Sequence, residues 1–161
     1  SGAVSAEQSL ETHRVNFDKE GFSVVMPSTW PSQQQDLSQF TMFTCAATTE
    51  GGNPSPLATI TLMFGGREKG HDELFEKVIG GIPHEKIISR GKTSAPSGGG
   101  TLDGEWVLYT QSVEQGGEAK VKVFYYKDTK RVFIFICQSP VNTFERYSAV
   151  FDEVGKSLKI R

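Results

Sequence analysis

The chain has 161 residues, 37% of them hydrophobic and 22% charged, which is a globular composition and length enough for one domain with a sizeable core. Seventeen Lys and Arg stand against 19 Asp and Glu, a net charge of −2, so no basic field invites nucleic acid or an anionic membrane. The apolar run from Val132 to Cys137 falls far short of the roughly 18 consecutive apolar residues of a membrane span, and none is expected.

The first residues are read apart from the rest. Ser1-Gly2 has the form of the remnant left by a cleaved tag, and Ala3-Val4-Ser5-Ala6 is small and uncharged, like the stretch behind a signal-peptide cleavage site. Residues 1–13 are therefore expected to be a flexible leader of an exported protein, with a lipid anchor upstream of Ala3 as one form of export. Residues 14–161 are expected to be a single α+β domain.

Along that domain the pattern is mostly of short strands. Phe22 to Met26 is a strand stopped by Pro27, and Ser28-Thr29-Trp30-Pro31 is a turn. Phe40 to Ala47 and Leu57 to Phe64 follow, joined by the Gly- and Pro-rich loop Glu50 to Pro56. In the second of these, Ala58, Ile60, Leu62 and Phe64 alternate with Thr59, Thr61 and Met63, a period of two that gives the sheet one strongly apolar side. Asp72 to Ile82 changes to helical spacing, with Asp72 as N-cap and Gly80-Gly81 where the helix fails.

A strand over Glu85 to Thr93, a flexible loop over Ser94 to Gly100, and strands over Leu102 to Ser112, Ala119 to Tyr126 and Arg131 to Gln138 come next. Gly116-Gly117 and Lys127 to Lys130 are the hairpin turns between the last three. Val132 to Ile136 is apolar on both faces and belongs in the interior of the sheet. The final helix, Thr143 to Ser157, repeats Phe144, Tyr147, Phe151, Val154 and Leu158 at three- and four-residue spacing, with Asn142 and Glu145 as its cap pair. The fold expected is a central, mostly antiparallel sheet of about six to seven strands flanked by helices on both faces.

Motifs of catalysis are missing. There is no Gly-x-Ser-x-Gly elbow, and His84-Glu85-Lys86-Ile87-Ile88 begins like a zinc helix but lacks its second histidine. Gly98-Gly99-Gly100 leads into a strand, not into the helix N-terminus that a phosphate cradle needs. His71-Asp72-Glu73 reads as a solvated helix start, and His13, His71 and His84 are scattered. Cys45 and Cys137 have no Cys-x-x-Cys spacing and read as two buried free thiols. Lys120, Lys122, Lys127, Lys130 and Arg131 gather on one hairpin, with Tyr125 and Tyr126 nearby. Lys120 and Lys122 alternate with Val121 and Val123, which reads as a wet, lysine-guarded strand face, with an interaction surface as the other reading. Trp30 and Trp106 read as core or rim aromatics. No catalytic, cofactor-binding or metal-ligating residue is expected, and the binding residues stay unassigned.

Two segments carry a resemblance. Gly21-Phe22-Ser23-Val24-Val25-Met26-Pro27-x-x-Trp30 and the closing Phe151-x-x-Val154-x-x-Ser157-Leu158-Lys159-Ile160 are similar to the entry and terminal segments of the PsbP/Mog-type fold group, including the DcrB-like bacterial proteins. Leu158 stands where that group usually has Phe. The resemblance covers about Phe17 to Ile160 and implies a central antiparallel sheet with helices on both faces. It implies roles in binding and assembly, among them photosystem accessory subunits, a Ran-binding nuclear protein, envelope lipoproteins and effector chaperones, and no enzyme activity. Only scaffold positions match, so no binding residue carries over. The expected function is that of a non-enzymatic, extracytoplasmic protein that binds a protein or envelope component, without a cofactor. A cytoplasmic effector chaperone holding an apolar helix against an exposed sheet face is the alternative, and a small hydrolase of unfamiliar arrangement is the third reading.

Overall fold

The computed structural model describes residues 11–37, 40–47, 58–66, 71–113 and 117–161, and for His71, Asp72, Leu74 and Phe75 the backbone. The strands are β1 (Thr12–Phe17), β2 (Phe22–Pro27), β3 (Ser32–Asp36), β4 (Thr41–Ala47), β5 (Ala58–Gly66), β6 (Ile87–Ser97), β7 (Gly100–Val113), β8 (Gly117–Lys127), β9 (Arg131–Pro140) and β10 (Lys159–Ile160). The α-helices are α1 (His71–Gly80) and α2 (Phe144–Gly155). Among the described residues the ten strands form one sheet in the order β1-β2-β10-β6-β7-β8-β9-β5-β4-β3. Neighbours are antiparallel except β10 and β6, which run parallel where Ile160 faces Ser97, so the sheet is mixed.

This corrects the expected fold class. Six or seven strands between helical layers are replaced by a ten-stranded sheet that dominates the molecule, and among the described residues the larger core is built with α2. Among the described side chains of α1, Val78 and Ile79 pack, half-buried, on a smaller cluster. The added strands are those with the weakest apolar signal. β1 includes Thr12 and His13, which were expected in the leader. β3 reads Ser-Gln-Gln-Gln-Asp and is exposed throughout, while β10 has only two residues. Edge and short strands are held by backbone pairing, which leaves no hydrophobic period in the sequence.

β9 sits between β8 and β5, as its all-apolar sequence requires. Phe133, Phe135 and Cys137 point to the α2 side, whereas Val132 and Ile134 point to the other. The sheet curls around the α2 side, and aromatic contacts between its two ends hold the curl. Phe17 of β1 meets Phe43 of β4 and Phe64 of β5 at 5.7 and 5.2 Å between ring centroids. Phe22 of β2 meets Phe64 and, at 5.0 Å, Phe133 of β9. None of these strand pairs shares a backbone ladder. Inside the curl, α2 adds Phe144, Tyr147 and Phe151, and Trp30 stands edge-on to Tyr147 at 5.8 Å.

Local sequence explains the turns. Gly98 and Gly99 both have positive φ, 52° and 93°, and close a two-residue hairpin between Ser97 and Gly100. The flexible loop expected over Ser94 to Gly100 is therefore mostly strand, with a tight turn at its tip. At the β8–β9 hairpin, Asp128 Oδ1 accepts from the backbone N–H of Lys130 (2.8 Å) and of Arg131. α2 starts behind a 3₁₀ turn, Val141–Thr143, with Thr143 at the cap position and no side-chain cap bond, so Asn142 does not serve as N-cap. Asp72 lies within α1, its side chain outside the described residues, as do the loop Glu50 to Pro56 and Gly116.

Cys45 faces Ile60 across β4–β5, and Ile60 faces Cys137 across β5–β9. The two cysteines are thus two strand spacings apart, roughly 9.5 Å, beyond the ~7 Å Cα limit of a disulfide. Both are buried free thiols. Burial pushes the Cys45 thiol up to about 11 and raises that of Cys137 as well, so neither supplies thiolate near neutrality. A disulfide-exchange reagent should therefore find no reactive thiol in the native protein at neutral pH, and two after unfolding without reductant. Fast native labelling, or no thiol after unfolding, would contradict this geometry.

Candidate functional site

The lysine-rich hairpin does not present the wet face that alternation suggested. Lys120 and Lys122 point inward, under α2. Lys122 Nζ lies 2.6 Å from Asp152 Oδ1 of α2 and 4.3 Å from the centre of the Trp106 ring, and only 12% of its side chain is exposed. Lys120 Nζ stands 5.2 Å over Phe144. The apolar stems fill space against aromatic rings while the ammonium finds a carboxylate or a π-face. Both lysines are docking contacts for the helix.

The same face explains three glycines. A Cβ on Gly91 or Gly104 would fall 2.4 Å from the ring of its cross-strand partner, Trp106 or Tyr126, and one on Gly155 would lie 2.1 Å from Phe124. Flat rings thus lie across bare backbone, and the Tyr126 hydroxyl donates to Gly155 O at 2.7 Å. This inner face is filled, with polar atoms spent on holding α2 to the sheet.

The opposite face of β6, β7 and β8 carries the candidate site. Lys92, Glu105 and Tyr125 are register partners in one row across the three strands. Lys92 Nζ donates to Glu105 Oε1 at 2.6 Å, and the Tyr125 hydroxyl donates to Glu105 Oε2 at 2.7 Å. A groove of about 560 Å³ opens over the row, lined also by Thr93, Asp103, Gly104 and Lys127. Its charged groups are two ammoniums and two carboxylates, which suits a partner carrying both signs.

The electrostatics of the row are quiet. The hydrogen bonds from Lys92 and then Tyr125 hold the Glu105 carboxyl below its ordinary value of 4.5. Burial, then donation to Glu105, pushes the Tyr125 phenol up to about 12. Near neutral pH the carboxylate stays ionised and the phenol protonated, so neither is poised to exchange a proton. Among the described residues the groove lining contains no His, Cys or Ser.

The other residues singled out from sequence do not converge here. His13 is exposed on β1, and His84 is exposed in a 3₁₀ turn, His84–Lys86, that leads directly into β6. The side chain of His71 lies outside the described residues. Gly98 and Gly99 make a hairpin, Trp30 is core, and Trp106 is half-buried against Gly91. Among the described residues no three His, Cys, Asp or Glu stand together as metal ligands would. The Lys92–Glu105–Tyr125 row is hidden in the sequence because Ser94 to Gly100, rich in Ser, Pro and Gly, has the composition of a loop. Once Gly98-Gly99 is a two-residue turn, equal steps back from Ser97 and forward from Gly100 bring Lys92 opposite Glu105.

The row has a direct test. In protein labelled at the tyrosine ring carbons, Tyr125 should titrate near 12, and Glu105→Gln should lower that value only part of the way to the ordinary 10.0, because burial remains. No movement in the variant would break the assigned bond. The depressed carboxyl of Glu105 also means that the row stabilises the fold above the ordinary carboxylate range and that this contribution disappears as pH falls through the folded-state value.

No protein-family description and no curated protein sequence matches this chain. Its fold is found among solved structures. The solution structure of cyanobacterial PsbP from Synechocystis sp. PCC 6803 superposes with a TM-score of 0.60 at 11% identity, over 94% of each chain. A Bacteroides thetaiotaomicron protein (TM-score 0.47, 15% identity, 87% of this chain and 45% of that one) and a Pseudomonas aeruginosa protein of unknown function (0.45, 11%, 88% and 92%) are more distant and carry no argument. The curled sheet closed around one helix is a PsbP-like fold.

Proposed function

We propose that this chain is a non-enzymatic binding or assembly protein that works outside the cytoplasm and receives a protein or envelope partner on the outer face of β6–β8. The observation that carries the reading is the groove over Lys92, Glu105 and Tyr125, which is polar, preformed and chemically quiet. Its charges are arranged for recognition, and its two central ionisable groups are locked in their unreactive states at neutral pH. The likeness of fold to cyanobacterial PsbP agrees with a role in binding. The chaperone alternative calls for a broad exposed apolar face. Among the described residues the large exposed hydrophobics are Leu37, Ile88, Val113 and Val141, spread over separate elements, which favours the polar groove instead.

A photo-crosslinking amino acid in place of Lys92 should capture one discrete protein from native envelope extracts, while the same group in place of Lys159 should not. Glu105→Lys, which reverses the central charge of the row, should abolish the adduct. Indiscriminate capture from both positions, or turnover in a broad hydrolase panel that Glu105→Gln removes, would overturn the proposal.

A further inference from the structure

β3 ends the sheet, and among the described residues no strand pairs on its far side. Two hydrogen bonds fix the direction of its peptide groups. Leu37 N–H donates to Phe40 O at 2.9 Å, and Ala46 N–H donates to Pro31 O at 3.1 Å. Pro31 and Leu37 thus turn their polar backbone toward β4, and alternation along the strand does the same for Gln33 and Gln35. Ser32, Gln34 and Asp36 therefore aim their N–H and C=O groups outward.

This edge lacks three of the usual guards, lysine, proline and a bulge, and carries a single charge, Asp36. All five residues of β3 are exposed, none is Lys or Pro, and the pairing with β4 is unbroken by a bulge. The spacing of the outward groups is also self-complementary. With Gln34 on a two-fold axis, an antiparallel second copy sets Gln34 against Gln34, and Asp36 against Ser32 in both directions. All the outward donors and acceptors then find partners. The Asp36 carboxylate already accepts from Gln34 Nε2 and Thr41 Oγ1, each at 3.2 Å, and in this register it meets a hydroxyl. A slipped register centred on Asp36 would bring two carboxylates face to face.

We infer that β3 pairs antiparallel with β3 of a second copy of this chain, centred on Gln34, and so joins two sheets into one. An edge this short buries less than a standard interface, so the dimer is weak and forms as concentration rises. Sedimentation velocity over a concentration series should show a reversible monomer–dimer equilibrium. Gln34→Pro removes an outward donor while leaving the β4 ladder whole, and should weaken the dimer about tenfold or more. Gln34→Lys sets two cations together on the axis and should act similarly, whereas Gln33→Lys adds the same charge off the axis and should weaken the dimer less. Circular dichroism checks that each variant is folded, and if Gln34→Pro is not, Gln34→Lys decides. A monomer throughout the series, a dimer indifferent to both Gln34 variants, or an equal loss with Gln33→Lys would each overturn the inference.

Discussion

The contacts of Phe17 and Phe22 with Phe43, Phe64 and Phe133 join strands that no backbone hydrogen bond connects. A ten-stranded twisted sheet left open would expose one long apolar face, more than a single twelve-residue helix can cover. Bringing the ends together lets the two margins of the sheet bury each other. Edge-to-face aromatic pairs suit this joint, because each adds an orientation preference to the burial of a large ring. Inside the curl lies α2, where Tyr147 stacks on Phe151 and meets Trp30 edge-on.

The two faces of the central hairpins divide the work. Inside, Lys122 pairs with Asp152, Tyr126 with Gly155, and bare glycines admit Trp106, Tyr126 and Phe124. These contacts fix α2 on the sheet and leave little room for a ligand. Outside, the Lys92–Glu105–Tyr125 row is ordered by its own hydrogen bonds yet opens to solvent through Lys92. A charged row on rigid strands loses little entropy when a partner arrives, a reason to seek recognition here.

Sequence periodicity reveals the parts of this fold that are buried on at least one face. The alternation from Ala58 to Phe64, the two-sided apolar run of β9 and the helical repeat of α2 all report directly on burial. β3 escapes it because backbone pairing, not side-chain burial, recruits it, and β1 and β10 escape it because each buries one residue, Phe17 or Ile160, too few to show a period. Lys120 and Lys122 mislead for a related reason. Alternation tells that they share a face, but not that α2 covers it, since a long aliphatic stem lets lysine live beneath a helix. The candidate row was one turn assignment away, hidden by reading Gly98-Gly99 as slack instead of as the two positive-φ positions of a tight hairpin.

A double-mutant cycle on Phe17 and Phe64 asks whether the sheet is closed. These rings belong to β1 and β5, near opposite ends of the strand order, and lie 5.2 Å apart only because the sheet curls. Urea unfolding of Phe17→Leu, Phe64→Leu and the double variant should give a coupling of about 1 kcal/mol, the range of an aromatic pair in contact. Additive losses, with a coupling indistinguishable from zero, would mean that the two ends do not meet and that the sheet is open.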